Sequence, residues 1–162
     1  MGRGVIRSKT GSRKKIPAVI YLNGWKDVAS YNNNGYSAST NLQRGCSCTT
    51  YNTPQSGSGF SFVVDCTNIS RIVMNITIGG TSSTDGYGTV YFYGNIGGQN
   101  LSFSNFVSST TYGSSSTTLR WDVSALKGKQ TFSSTWRATC RTGDLVWSTN
   151  QTISITKIMC ER

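Results

Sequence analysis

Histidine is absent from this chain of 162 residues, so the nucleophile–base pairs in which an imidazole takes the proton of a serine or cysteine are excluded. General acid–base work would fall to five aspartates and one glutamate. Hydrolysis by paired carboxylates needs two of them facing one another across a cleft. Asp65, Asp122 and Asp144 sit instead at strand ends or turns, where a carboxylate caps backbone N–H groups. The expectation is a protein without enzymatic activity. The doublets Gly79-Gly80 and Gly97-Gly98 fit neither a Walker loop nor a dinucleotide fingerprint, because no helix follows to supply the anion site. They are expected in turns, and no cofactor is expected.

The five cysteines, Cys46, Cys48, Cys66, Cys140 and Cys160, leave at least one thiol unpaired. An odd count, with no apolar leader ending in small residues, favours maturation in reducing cytoplasm with the thiols serving as small apolar groups. A disulfide between distant positions such as Cys66 and Cys140 is an alternative. Zinc is another, although the Cys46/Cys48 spacing is tighter than structural sites use and imidazole ligands are missing. The tripeptides at Asn68, Asn75, Asn100 and Asn150 fit the glycosylation pattern, which a chain this rich in Asn, Ser and Thr produces by chance.

Binding residues fall into two groups. The net charge of +10 is concentrated in residues 1–16, where Arg3, Arg7, Lys9, Arg13, Lys14 and Lys15 stand without an acid; ten cations and six anions, +4, remain for the rest. Spread among Gly, Ser and Thr, these charges predict an extended, mobile arm that becomes ordered only against something acidic. It can neutralise phosphates, dock on an acidic protein surface or aid solubility, and docking between subunits is preferred because no aromatics interleave with the charges for base readout. Nucleic acid is therefore not the expected partner. The second group is aromatic. Trp121 and Trp136 share parity with apolar neighbours and are expected in the core, whereas Tyr87, Tyr91, Tyr93, Tyr112 and Trp147 are candidates for exposure. An exposed row suits packing against another subunit or stacking on sugar rings, and Tyr91, Tyr93 and Trp147 are the residues singled out for such contacts.

The elements that must position these residues read as strands. Residues 60–78, FSFVVDCTNISRIVMNITI, hold the most regular alternation: Phe60, Phe62, Val64 and Cys66 form one alternating set, and Ile72, Met74, Ile76 and Ile78 a second, on either side of a polar turn. This pair is expected to form the inner wall of a sandwich. Residues 16–22 read as an edge strand, 31–53 as a surface excursion with at most short strands, 79–88 and 94–100 as turns, and 108–118 as a polar run outside the core. Further strands are expected at 89–93, 101–106, 119–123 and 131–140, and a last one from Ile153 with a bulge near Thr156 or Lys157. No helical period and no apolar run long enough to span a membrane occurs. The fold class expected is all-β, an antiparallel two-sheet sandwich of jelly-roll type over residues 17–162, preceded by the basic arm at 1–16.

Asp65-Cys66-Thr67-Asn68-Ile69-Ser70-Arg71-Ile72, then Leu119-Arg120-Trp121-Asp122-Val123-Ser124-Ala125-Leu126-Lys127-Gly128, then Ile153-Ser154-Ile155-Thr156-Lys157-Ile158, resemble phrases in small β-sandwich modules of tailed-bacteriophage virion proteins. The likeness covers residues 60–160, and Cys66 stands where that family tends to have an aliphatic residue. The resemblance implies a capsid-decorating or tail accessory protein, made in the host cytoplasm and located in the virion. It implies virion subunits as partners, homo-oligomers, and no membrane. Sandwiches of this outline also serve as carbohydrate-binding adhesins, so host glycans are the alternative ligand.

Overall fold

A computed structural model describes residues 20–21, 26–27, 37–49, 55–82, 87–108, 113–140 and 148–161. These form ten strands: β1 Ile20–Tyr21, β2 Lys26–Asp27, β3 Ser37–Thr49, β4 Gln55–Asp65, β5 Arg71–Ser82, β6 Tyr87–Ile96, β7 Gln99–Ser108, β8 Gly113–Asp122, β9 Lys129–Cys140 and β10 Ser148–Glu161. They make two antiparallel sheets, in the orders β1-β4-β9-β6-β7 and β2-β3-β10-β5-β8. The all-β, two-sheet architecture expected from the alternation is the one observed. The arm at 1–16 lies outside the described residues.

Among the eight long strands the pairing is nested. β3 pairs with β10, β4 with β9, β5 with β8 and β6 with β7, so the first joins the last and each following strand joins the preceding one. The innermost pair is a hairpin closed by Gly97 and Gly98, whose φ of 57° and 82° belong to the left-handed region that a tight two-residue turn requires. Its strands extend to Ile96 and Gln99, so the 94–100 turn of the sequence reading shrinks to these two glycines.

The 60–78 segment buries the side chains expected of it, but its two strands do not pair. β4 belongs to one sheet and β5 to the other, and 66–70 is a corner that carries the chain across the sandwich. The two alternating faces therefore meet each other through the core. Phe60, Phe62, Phe92 and Phe132 stack on one side, with ring centroids 4.9 Å apart for Phe62–Phe132, and Trp121 meets Phe132 edge-on at 5.1 Å. Ile72, Met74, Ile76, Ile78, Ile153, Ile155 and Ile158 fill the other side, all fully buried. Trp121 and Trp136 are core, as their parity predicts.

Three expectations are corrected: the 79–88 turn gives up Gly79–Ser82, with the Gly79-Gly80 doublet, to the end of β5 and Tyr87–Gly88 to β6, and two polar stretches hold strands. Residues 31–53 contain β3, thirteen residues long, and 108–118 contains the first half of β8. Both are rich in Ser, Thr and Gly, so the alternation test saw little; their ladders against β10 and β5 supply what propensity does not. The expected irregularity in the last strand is present, as a register shift between Ile155 and Lys157.

Candidate functional site

The outer face of the first sheet gathers the aromatic residues singled out above. β6 alternates strictly, so Val90, Phe92 and Ile96 point into the core while Tyr87, Tyr91 and Tyr93 point out. Tyr93 is 38% exposed and Tyr87 39%, and Tyr91 is half-buried between them. The rings of Tyr91 and Tyr93 stack with centroids 6.0 Å apart and planes 10° from parallel. Tyr87 leans on Phe106 of β7 at 5.7 Å, and Phe106 is 51% exposed. Trp147 and Tyr112 lie outside the described residues.

Register decides what surrounds these rings. Tyr91 stands opposite Arg137 of β9 on one side and Ser104 of β7 on the other, while Tyr93 stands between Thr135 and Ser102. Arg137 is exposed, so a cation sits one pleat from Tyr93. Beside Tyr93 is a shallow depression of about 150 Å³, lined also by Gly94, Asn95, Asn100, Ser133, Ser134 and Thr135. Asn95 donates to Asn100 across it at 2.7 Å, which aligns the two amides along its rim. The arrangement offers a ring face, hydroxyls, carboxamides and one guanidinium. Chemically, such a set can stack on a polar ring-shaped group or pack against another protein. Sequence reasoning found the tyrosines through their parity but missed Phe106 and Arg137, whose places become visible only once β7 and β9 are in register with β6.

The opposite face, on the second sheet, has no aromatic row among the described residues. Asn75 and Thr77 of β5 face Thr118 and Ser116 of β8, with Thr77 and Ser116 hydroxyls 2.7 Å apart and the Thr118 hydroxyl donating to Asn75 Oδ1 at 3.1 Å. They line a shallow hollow of about 270 Å³ together with Ile76, Thr117 and Thr156. These are neutral hydroxyls and an amide.

The two Asp phrases are corners. Asp65 accepts from the backbone N–H of Thr67 at 2.9 Å, and Asp122 accepts from the backbone N–H of Ser124 at 3.0 Å and from its hydroxyl at 2.6 Å. The corners also join: Cys66 donates to the Gly128 carbonyl, Gly128 donates to the Thr67 hydroxyl, and Val123 donates to the Ser70 carbonyl. Capping therefore accounts for Asp, Thr and Ser in both phrases. The hydrogen bonds from the Ser124 hydroxyl and N–H hold the Asp122 carboxyl below its usual value. Among the described residues no three Cys, Asp or Glu converge as a metal site would require.

Among the described residues, none of Cys46, Cys66, Cys140 and Cys160 is in a disulfide. The Cys66–Cys140 bridge entertained from the sequence is ruled out by the ladder: Cys66 hydrogen-bonds next to the start of β9 and Cys140 ends it, roughly 36 Å away at ~3.3 Å per residue. Burial pushes the Cys46 thiol up to about 12 and the Cys160 thiol, which also has Cys66 for a neighbour, up to about 12.

No protein-family model matches the chain, and no curated protein matches its sequence. Among solved structures it is similar to part of the Endo-D glycoside hydrolase domain from Streptococcus pneumoniae R6, with 12% identity and a TM-score of 0.35 over 88% of this chain and 21% of that one. It is similar to a chain of infectious bursal disease virus, Gt strain, with 13% identity and a TM-score of 0.41 over 100% of this chain and 42% of that one. A CBM4 structure matches with 11% identity and a TM-score of 0.31, over 88% of this chain and 85% of that one. At these scores the likenesses assign no activity.

Proposed function

We propose that this chain is a non-enzymatic structural protein of a virus particle. Its sandwich stands on the particle, and its basic arm, Arg3, Arg7, Lys9, Arg13, Lys14 and Lys15, holds it to neighbouring subunits. The nested pairing of the eight long strands is the observation that supports the reading, because nested pairing fits the jelly-roll sandwich expected from the sequence, an architecture recurrent in viral capsids and in lectins. Among the described residues no helix covers either outer face, one aromatic and one hydroxyl-rich, which suits contact of both sheets with neighbours. The more specific form is an accessory protein on the capsid or tail of a tailed phage. That form rests on the two corner phrases, which capping also explains, so the broader role is the one argued.

The test is incorporation. Full-length protein and a version lacking residues 1–15 are expressed in infected cells, and particles are banded on a density gradient. Full-length protein should co-band with the particles, and the truncated one should fall at least tenfold. Equal occupancy would remove the arm as the anchor, and absence of both from the band would remove the virion role.

A carbohydrate-binding adhesin is the second reading, favoured by the polar depression beside Tyr93. Stacking of a pyranose on Tyr93 with Asn95, Asn100, Ser133 and Thr135 around its hydroxyls would use every group there. On a glycan array the full chain should give a signal that Tyr93→Ala abolishes. A silent array with folded, assembled protein counts against it.

A further inference from the structure

β7 and β8 are the last strands of their sheets and lie beside each other along one side of the sandwich. Exposed sheet edges present unpaired N–H and C=O groups, and monomeric proteins guard them with lysines, prolines, bulges, short strands or inward-pointing charges. Among the described residues, this side has almost none of those guards. β7 carries no charged residue and no proline, and β8 carries none from Gly113 to Leu119, in a chain with 16 cations. Each pairs with its inner neighbour through ten residues without a register shift. The irregularities fall on inner strands instead, in β4 between Ser58 and Ser61 and in β10 between Ile155 and Lys157, the reverse of their usual placement at edges. On the other side of the molecule both edges are already partly covered, by β1 and β2.

The gap between the two sheets is also open here. Leu101 and Phe103 of β7 and Leu119 of β8 point inward but remain only partly buried, and Ser115, which faces the same gap, is exposed. Phe106 adds an exposed ring at the β7 edge. A partner that extends a sheet would bury this apolar rim at the same time.

We propose that the β7–β8 side is an interface and that its occupant is the same side of a second copy of this chain. β8 would meet β8 antiparallel across a twofold axis perpendicular to the sheets, continuing the second sheet from one subunit to the next, while the rim of β7 closes against its counterpart. An uncharged edge is self-complementary, because it brings no like charges together across the axis. The chain's own arm suits this edge poorly, since six cations would meet a single anion, Asp122. Ten residues at ~3.3 Å give an edge roughly 33 Å long, and two sheets about 10 Å apart with their side chains make a strip roughly 20 Å wide. That is about 1,300 Å² over both partners, inside the range of specific interfaces.

Sedimentation velocity on the full chain tests this, with Ser115→Lys and Ser114→Lys as variants and Val63→Thr, exposed on the outer face of β4, as control. The wild type should show a concentration-dependent dimer, and each lysine should weaken it at least tenfold while circular dichroism and Tm keep their wild-type values. Val63→Thr should dimerise normally. Hydrogen exchange gives an independent reading: amides of Gly113–Asp122 should exchange more slowly as protein concentration rises. A monomer at every concentration, a dimer indifferent to both lysines, a dimer lost in Val63→Thr, or edge amides unmoved by concentration would overturn the assignment.

Discussion

Gly94 is where the core and the outer face compete for the same space. A Cβ there would lie 2.6 Å from Trp121 Cζ2 and 2.9 Å from Phe132 Cζ, and the Gly94 carbonyl accepts the Trp121 indole N–H at 3.3 Å. The floor of the Tyr93 depression is thus a backbone pressed onto two core rings. Gly94→Ala should cost about 1–3 kcal/mol through overpacking, read as a lower denaturant midpoint with unchanged m-value. The thiols supply a prediction of opposite character. Cys46 and Cys160 ordinarily titrate at 9.0 and are pushed up to about 12 by burial, so the folded protein keeps protons that the unfolded chain releases. Their contribution is fully present below pH 9 and lost as pH rises toward 12. Unfolding midpoints measured between pH 8 and 11 should fall with pH, and Cys46→Ala or Cys160→Ala should flatten that fall. Neither effect was legible in the sequence: a glycine before Asn95 looked like a turn, and burial of particular thiols depends on sheet partners.

Between strands, the residue that ties the two sheets together is polar. Asn105 of β7 donates to the Gln151 side-chain oxygen of β10 at 3.1 Å, and Gln151 in turn donates to the Asn105 carbonyl at 3.4 Å and the Gly88 carbonyl at 3.5 Å. Both amides are buried, at 7% and 3% exposure. Gln151→Leu leaves the Asn105 amide without its main partner and should cost about 1–3 kcal/mol, while Asn105→Leu with Gln151→Leu should recover part of that loss; a double-mutant cycle on urea midpoints reads the coupling. At the joined corners, Asp122 has its carboxyl held low by Ser124, so its contribution is present above the ordinary carboxylate range and lost as pH falls through the depressed folded value. Asp122→Asn should flatten the acid limb of the Tm–pH curve. The alternation at 60–78 revealed which side chains are buried here, yet it could not say that β4 and β5 belong to different sheets, because a hairpin turn and a crossing corner draw on the same Asp, Thr, Asn and Ser. β3 and the start of β8 were hidden for the converse reason: their pairing is set by neighbours far along the chain, and their own side chains carry little apolar signal.

For the molecule as a whole, the class of architecture was legible and the assembly was not. Low charge, many hydroxyls and period-two patterning are enough to select two packed sheets. The aromatic candidates could be named but not surrounded, since Arg137, Ser104 and Thr135 come to Tyr91 and Tyr93 from strands β7 and β9. The unguarded β7–β8 side could not be seen at all before the strand order was known, because a charge-free strand is unremarkable in the middle of a sheet.

The nesting of the strands also bears on how the chain is made. Among the described residues, β6–β7 is the one long pair that joins sequence neighbours; β10 must lie between β3 and β5 before the second sheet exists. Contacts so far apart in sequence make closure slow. During synthesis, then, the emerging chain has a second sheet that still lacks its middle, and a nascent chain stalled before residue 148 should remain protease-sensitive while one that includes β10 becomes resistant. Whatever shields the waiting edges of β3 and β5 in that interval decides how much of the protein survives to assemble.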